Sequence, residues 1–531
     1  MNIKHLCWLL SGLSLILIQP TNGYLSKASA FCKNFQCHVE RGINPIATAN
    51  AVYNNSLFQT GWDILNIKAG YGQHPSSNTD IMFAAGFLEG VLTAKRIYNH
   101  YKNIYLELQR NSYPKLMKRL NEFFKKQNIW IRKQIVRFPN DPLWRHVNYV
   151  ITQLDGLMAG YRSIKSIPEI TDFGFLLING MGDILDLRNA FNKTRAMELI
   201  KTDLNRYIFL NSHCSALIKV LPGYENIFMS HSSWFWYSSM SRIYKYYDFN
   251  IKDPRTFTRQ IAFSSYPGLM SSLDDFYLLG GKMVMIQTTN NIFNMSLYHL
   301  IKPESLLAWH RVRIANSMAR NGKDWSQVLG FKNSGTYNNQ YMILDLRKIK
   351  LNSDIEDNAL WVVEQIPGLV KSADVSEILR TGYWPSYNVP FFEEIYNQSG
   401  YNKVYGFKSN QYQMAARAKL FRRDANKVYD LQSMKNLLRS NDYKNDKYSE
   451  KNPWNAICSR GDLAEDPQAV GCYDTKVTDF FLAKSMTADI ISGPTLGTNL
   501  NPFAWSGKFK DSHIGLPEIY DFDFVRTKPF F

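Results

Sequence analysis

The residues with the clearest chemical potential are Cys214 and His231, at the two ends of one hairpin-like pattern. Cys214-Ser215-Ala216-Leu217-Ile218-Lys219-Val220 reads as a strand, Leu221-Pro222-Gly223-Tyr224-Glu225-Asn226 as a turn, and Ile227-Phe228-Met229-Ser230-His231 as the return strand. With the hairpin centre near Pro222 or Gly223, thiol and imidazole come almost opposite each other. Cross-strand neighbours approach within roughly 5 Å at Cβ, close enough for a nucleophile to meet a proton acceptor, although a bulge or a shifted register would offset them. The plain alternative is a cysteine acting as a small core hydrophobe and a histidine satisfied in the core or at the surface.

The other cysteines sharpen the case for Cys214. The chain opens with Met1-Asn2-Ile3-Lys4-His5, runs apolar from Leu6 to Ile18 and turns polar through Gln19-Pro20-Thr21-Asn22-Gly23. This pattern predicts a secretory signal peptide over residues 1–23, its apolar run shorter than the ~20 residues a membrane span needs. Cys7 leaves with it, and the chain enters an oxidising compartment. Cys32 with Cys37, and Cys458 with Cys472, are close in sequence in polar, turn-rich surroundings, so two local disulfides are the simplest pairing. Cys214 is left over, as a buried hydrophobe, an intermolecular link or a reactive nucleophile. Sequons at Asn54, Asn192, Asn294 and Asn397 fit passage through the same pathway.

Elements able to position such a site follow from periodicity. Asp80 to Tyr98 is helical, with Phe83, Phe87, Leu88, Val91, Leu92 and Ile97 separated by small residues, and is expected to pack on a sheet. Further helices are expected from about Pro114 to Lys126 and from about Trp144 to Tyr161. Tyr53 to Ala69 carries no clear period. Phe173 to Ile178 reads as a short element ending in a turn at Asn179-Gly180-Met181-Gly182-Asp183.

Composition narrows the class. A chain of 531 residues, 45% hydrophobic and 14% aromatic, builds one large layered core or two smaller ones, which excludes a disordered segment or a disulfide-stapled miniprotein. The formal net charge of +17 falls to +16 without Lys4 and is spread along the chain beside acidic residues, with no zinc-finger spacing, basic helix or RNP-like strand. Nucleic acid is therefore not an expected partner. A diffuse positive surface suits solubility or peripheral contact with an anionic membrane surface.

Several stretches resemble the phospholipase B-like family: His213-Cys214-Ser215-Ala216-Leu217-Ile218-Lys219, Phe263-Ser264-Ser265-Tyr266-Pro267-Gly268, Ser272-Leu273-Asp274-Asp275-Phe276-Tyr277 and Ser334-Gly335-Thr336-Tyr337-Asn338-Asn339-Gln340. So do Tyr383-Trp384-Pro385-Ser386-Tyr387-Asn388-Val389-Pro390-Phe391-Phe392, Ala416 to Asp424, Cys458-Ser459-Arg460-Gly461-Asp462-Leu463 and the aromatic segment around His513. The motifs occur in order over nearly all of the mature chain. The resemblance implies an N-terminal nucleophile hydrolase, an α+β protein with a four-layer αββα sandwich. Its chain is cut between His213 and Cys214 into fragments 24–213 and 214–531, which stay associated within one domain, 24–531. It also implies a secreted or lysosomal protein acting on phospholipid acyl esters.

Chemistry explains why such a cut would activate Cys214. A freed α-amino group has a reference pKa of about 7.7 to 8.0 and can accept the thiol proton, so nucleophile and base occupy one residue. His231 is a candidate for orienting or deprotonating the thiol. Asn338 and Asn339, following a turn-like lead into Gln340, are candidate oxyanion donors, with turn capping as the alternative. Arg417 is a candidate for substrate charge or for fixing the nucleophile, against an ordinary ion pair. Asp274-Asp275 is expected to be structural polarity, Arg460-Gly461-Asp462 a structural segment rather than an adhesion motif, and no metal or cofactor is implied. The expected activity is removal of fatty acyl groups from phospholipid, with an N-acyl amide hydrolase and a processed, noncatalytic lipid- or protein-binding glycoprotein as alternatives.

Overall fold

The computed structural model describes residues 24–110, 113–211, 214–404, 412–510 and 513–531. The expected signal peptide and His213 lie outside the described residues. The fold is mixed α+β, organised by two large sheets. The first has eleven strands, in the order Leu369–Asp374, Leu360–Ile366, Asn339–Asp345, Met283–Thr289, Phe276–Leu279, Gln260–Ser265, Ile243–Phe249, Asp63–Ala69, Ala49–Asn55, Tyr24–Lys33 and Gln36–Arg41. Its pairs are antiparallel except Asp63–Ala69 with Ile243–Phe249, which run parallel. The second has six strands, Tyr383–Ser386, Ser215–Val220, Ile227–Trp236, Val470–Asp479, Asp489–Ser492 and Val525–Arg526.

Strand sequences explain the burial of both faces. In Ile243–Phe249, Ile243 and Tyr247 join a core with helical residues Ile81, Ala84, Leu88 and Val312, while Tyr244 and Tyr246 turn to the other side. There they meet Ala216, Ile218 and Met229 of the smaller sheet. Leu217 and Phe228, with the opposite parity, pack instead with Leu420, Phe421, Met434 and Leu437 from the helices Ala416–Asp424 and Leu431–Leu438. Alternation at period two thus gives each central strand two apolar faces, as a doubly covered strand requires.

The long helices form where periodicity places them, with wider bounds: Asn78–Arg110, Leu116–Arg137 and Pro142–Ser163. The last begins earlier than apolar periodicity suggests because Asp141 accepts hydrogen bonds from the Leu143 and Trp144 amides at 2.8 and 3.2 Å, with Pro142 in the first turn. Asn78–Arg110 and Pro142–Ser163 touch backbone to backbone: a Cβ on Gly86 would stand 1.9 Å from the Gln153 carbonyl oxygen, and one on Gly156 2.1 Å from that of Phe83. The structure sharpens two local readings. The short element at Phe173 is the helix Asp172–Asn179, and the turn expected after it is confined to Gly180, from which helix Met181–Phe191 starts at once. Tyr53 to Ala69, aperiodic as a whole, divides into the end of one strand, a single helical turn Leu57–Thr60 and the strand Asp63–Ala69. Both disulfides, Cys32–Cys37 and Cys458–Cys472, are formed, and Cys214 is the remaining thiol among the described residues.

Candidate active site

Cys214 sits immediately before strand Ser215–Val220, buried, with φ +85°. That left-handed conformation is unusual for a residue with a Cβ. The side chain shares with Ser233, Trp234, Asp274, Tyr337 and Tyr473 a cavity of about 10 Å³, room for about one water. Burial pushes the thiol well above its usual range; the Trp234 backbone N–H and Lys476 act in the opposite sense, Asp274 and Asp474 with it.

The backbone of Cys214 is held by Arg417. Arg417 Nη1 donates to the Cys214 carbonyl oxygen at 2.7 Å and to Ser215 Oγ at 3.1 Å, while Nη2 donates to Asn388 Oδ1 at 2.6 Å. The guanidinium lies over the Trp234 ring, 4.3 Å from its centroid. Burial lowers its pKa to about 9, opposed by Cys214. Asn388 is brought here by strand pairing: Ser386 stands opposite Ala216, and the chain two residues on turns through φ +68° so that Asn388 Nδ2 donates to the Thr289 carbonyl at 2.6 Å.

His231 belongs to the same hairpin but in a different register. Ala216 pairs with His231 and Ser215 with Ser232, where the ladder ends, and Ser233, next along, lines the cavity beside Cys214. The turn Leu221–Asn226 accommodates a short 3-10 segment, Pro222–Tyr224, which fixes this register. His231 is fully buried and pairs on its other side with Lys476. Its ring nitrogens complete no hydrogen bond of ordinary geometry, and burial followed by Lys476 holds its pKa well below the imidazole range.

Asn338 and Asn339 stand where the turn pattern predicts, at the entrance to strand Asn339–Asp345, and both are buried. Asn338 Nδ2 closes back on the Gly335 carbonyl at 3.0 Å and Asn339 Nδ2 reaches Tyr341 Oη at 3.0 Å. Neither lines the Cys214 cavity. Their neighbour Tyr337 does, with its ring packed against Gly182 so closely that a Cβ there would come within 2.6 Å of it.

A buried ionic group that local sequence reasoning passed over completes the surroundings. Arg242 pairs with Asp274 and, at 2.8 Å, with Asp474; Lys476 pairs with Asp474 at 2.6 Å and stands 3.6 Å from Asp274. Asp274 also accepts from Ser264 and Tyr266, each at 2.8 Å. Burial acts to raise the Asp274 carboxyl, and Arg242 and Lys476 together outweigh it, holding the group below the carboxylate range. Asp274 is structural polarity, as expected, but in a buried ionic group whose second carboxylate is Asp474, two hundred positions further along the chain. The one local sign of this arrangement is backbone conformation: Cys214, Asp275, Tyr337 and Asn388 are buried and all carry positive φ. Such residues collect where surrounding structure over-determines the chain.

A strained, buried cysteine clamped at its carbonyl, within two packed sheets, defines a candidate hydrolase site. Comparison with known proteins gives the lineage: a family model described as Phospholipase B matches residues 49–527, and the chain belongs to that family. It is 50% identical to "Phospholipase B-like 1" of Rattus norvegicus over 91% of this chain and 88% of the rat protein. It is 48% identical to "Phospholipase B" of Crotalus adamanteus, covering 94% and 91% of the two chains, and 38% identical to "Phospholipase B-like protein B" of Dictyostelium discoideum, covering 91% and 86%.

Proposed function

We propose that this protein is a secretory-pathway acyl hydrolase that removes fatty acyl groups from phospholipids, with Cys214 as nucleophile after a cut between His213 and Cys214. The observation that carries this reading is the clamp of Arg417 on the Cys214 carbonyl, with Asn388 fixed behind it. Such a clamp serves a residue whose own backbone nitrogen must be held in place, as a terminal amine acting as base would be. In the intact chain that nitrogen is an amide. After the cut, an amine with a reference pKa of about 7.7 to 8.0 accepts the proton of the Cys214 thiol, the sulfur attacks the acyl carbonyl, the alcohol departs and water releases the acid from the thioester.

Other features support the same reading. Left-handed backbone at Cys214 holds of order 1–3 kcal/mol that breaking the preceding peptide bond would release. The sheets facing each other, with helices on their outer sides, are read as the αββα arrangement of N-terminal nucleophile hydrolases. Strands from both sides of residue 213 are woven into the larger sheet, so fragments 24–213 and 214–531 would stay associated in one domain. Asn388 accepts from Arg417 and donates to the Thr289 carbonyl, so we assign it the role of holding the clamp, keep Asn338 and Asn339 as the oxyanion candidates, and give His231 a supporting role behind Ser233 and Lys476. Two disulfides and the sequons at Asn54, Asn192, Asn294 and Asn397 support a secreted or lysosomal location, and no helix among the described residues is long and apolar enough to cross a membrane. The excess of positive charge supports peripheral contact with anionic lipid surfaces.

The test is to purify the processed protein and Cys214→Ala and to measure fatty acid released from phospholipid and from N-acyl amide. Turnover of the ester by wild type and its loss in the variant are expected. Equal release by both proteins sinks the nucleophile, and release from the amide alone moves the substrate to the other acyl class. Intact mass under reducing denaturation is expected to resolve two pieces divided at Cys214.

A further inference from the structure

We propose that Ser233 is a catalytic residue of this site, its hydroxyl donating a hydrogen bond to the Cys214 sulfur, and that Lys476 is the positioning residue that aims it. The inference rests on Cys214 being the nucleophile. Three observations carry it. Ser233 follows Ser232, which closes the ladder opposite Ser215, and it lines with Cys214 the same cavity of about 10 Å³, across which the hydroxyl can reach the sulfur directly or through a single water. Lys476 Nζ lies 2.5 Å from Ser233 Oγ and 2.6 Å from Asp474 Oδ1. An ammonium has donors and no lone pair, so the serine oxygen is the acceptor in that contact and its own proton points elsewhere.

The cavity is where that proton has work. A thiolate forming in so small a space, with room for about one water, gains little solvation, and burial already opposes the charge. The charged and titratable groups around it are Asp274, Asp474, Lys476, Tyr337, Tyr473 and Arg417, the last with its Nη1 on the carbonyl. Asp274 and Asp474 oppose the thiolate and Lys476 favours it. Ser233 transmits the favourable influence as a directed hydrogen bond. As the thiol proton passes to the α-amino nitrogen of the cut chain, the sulfur takes the negative charge and the O–H···S contact shortens. The serine proton stays on its oxygen, and no bond to Ser233 forms or breaks.

The experiment follows the pH dependence of Cys214 alkylation by iodoacetamide in processed wild type, Ser233→Ala and Ser233→Thr, with melting temperature and phospholipid turnover alongside. Ser233→Ala leaves Lys476 paired with Asp474, so no buried charge is orphaned. Its alkylation profile is expected to move upward by about one pH unit, a roughly tenfold slower reaction below the midpoint, with turnover falling by at least as much and melting little changed. Threonine keeps the hydroxyl and is expected to restore the profile. A wild-type profile in Ser233→Ala overturns the proposal, as does a threonine variant that is folded and shifted as far as alanine. If alanine impairs folding, Ser233→Thr is compared with Ser233→Val, equal in shape and differing in the hydroxyl: a profile raised in valine alone supports the hydrogen bond, and matching profiles overturn it. Turnover surviving in Cys214→Ala removes the nucleophile itself; a dead Cys214→Ala beside an unshifted Ser233→Ala removes only the role of Ser233.

Discussion

Two groups of buried charge in this protein differ in how completely they are satisfied. Between the long helix Asn78–Arg110 and strand Ile243–Phe249, Lys245 Nζ donates to Glu89 at 2.7 Å and to the Leu269 carbonyl at 2.6 Å, and Tyr247 donates to the other Glu89 oxygen at 2.5 Å. That group is closed on itself. Beside Cys214, Arg242, Asp274, Asp474 and Lys476 are as deeply buried, yet Arg242 Nε and Nη1 complete no hydrogen bond and lie among the Trp62, Tyr266 and Tyr473 rings. Lys476 ends on a serine whose proton faces a cavity. Pairing and burial alone therefore mark neither group as functional. What separates them is an unfinished hydrogen bond next to open space.

The largest effect that would test this contrast lies on the closed side. Lys245→Met leaves Glu89 buried without its cation and is expected to cost about 3–5 kcal/mol in guanidinium unfolding, while the pH profile of Cys214 alkylation in the folded protein stays as it was. A shifted profile would mean that the two groups are one. Gly182→Ala comes next. It drives the Tyr337 ring from its seat at the cavity wall, with an expected loss of about 1–3 kcal/mol in thermal unfolding and a fall in phospholipid turnover.

The smallest effect separates charged from neutral buried carboxyls. Burial raises Asp183 and Asp186 to about 6 and Glu364 to about 7. Folded protein keeps these protons where the unfolded chain, with values near 4, has shed them, so they add stability as pH falls from their folded values toward about 4. His100 and His310, lowered by burial to about 3, act oppositely: the unfolded chain takes up a proton near 6.5, and stability is lost as pH drops below that. The two sets offset each other between about pH 7 and 5. Asp186→Asn, which can still accept from Tyr298, removes one carboxyl and is expected to lose about 1 kcal/mol more than wild type on going from pH 7 to 5, read from unfolding curves at the two values.

Features carried by neighbours in sequence were legible before the fold was known. The hairpin from Ser215 shows in its Pro222-Gly223 turn and in the apolar strands on either side, and the long helices show in their spacing. The register of the hairpin was not, because the 3-10 segment at Pro222 decides it, and it pairs His231 with Ala216 and leaves Ser233 to line the cavity beside Cys214. The contact between Asn388 and Arg417 is hidden from local pattern for a related reason. Asn338 and Asn339 have the local look of a strand entrance and stand at one, but Asn388 reaches Arg417 through a pairing between Ser386 and Ala216 that no local pattern contains. Asp474 and Lys476 join Asp274 and Ser233 in the same way, by a strand that returns more than two hundred residues later.

The parallel pairing of Asp63–Ala69 with Ile243–Phe249 has a consequence for molecularity. In the uncut chain these strands are joined covalently, and forming the ladder is a first-order event. If the chain is severed before Cys214 as proposed, the same ladder would be an encounter between two polypeptides, so recovery from complete unfolding would depend on concentration and slow on dilution. Such a cut would make the native state easier to use than to regain, with its lifetime set by the rate at which the central sheet first opens.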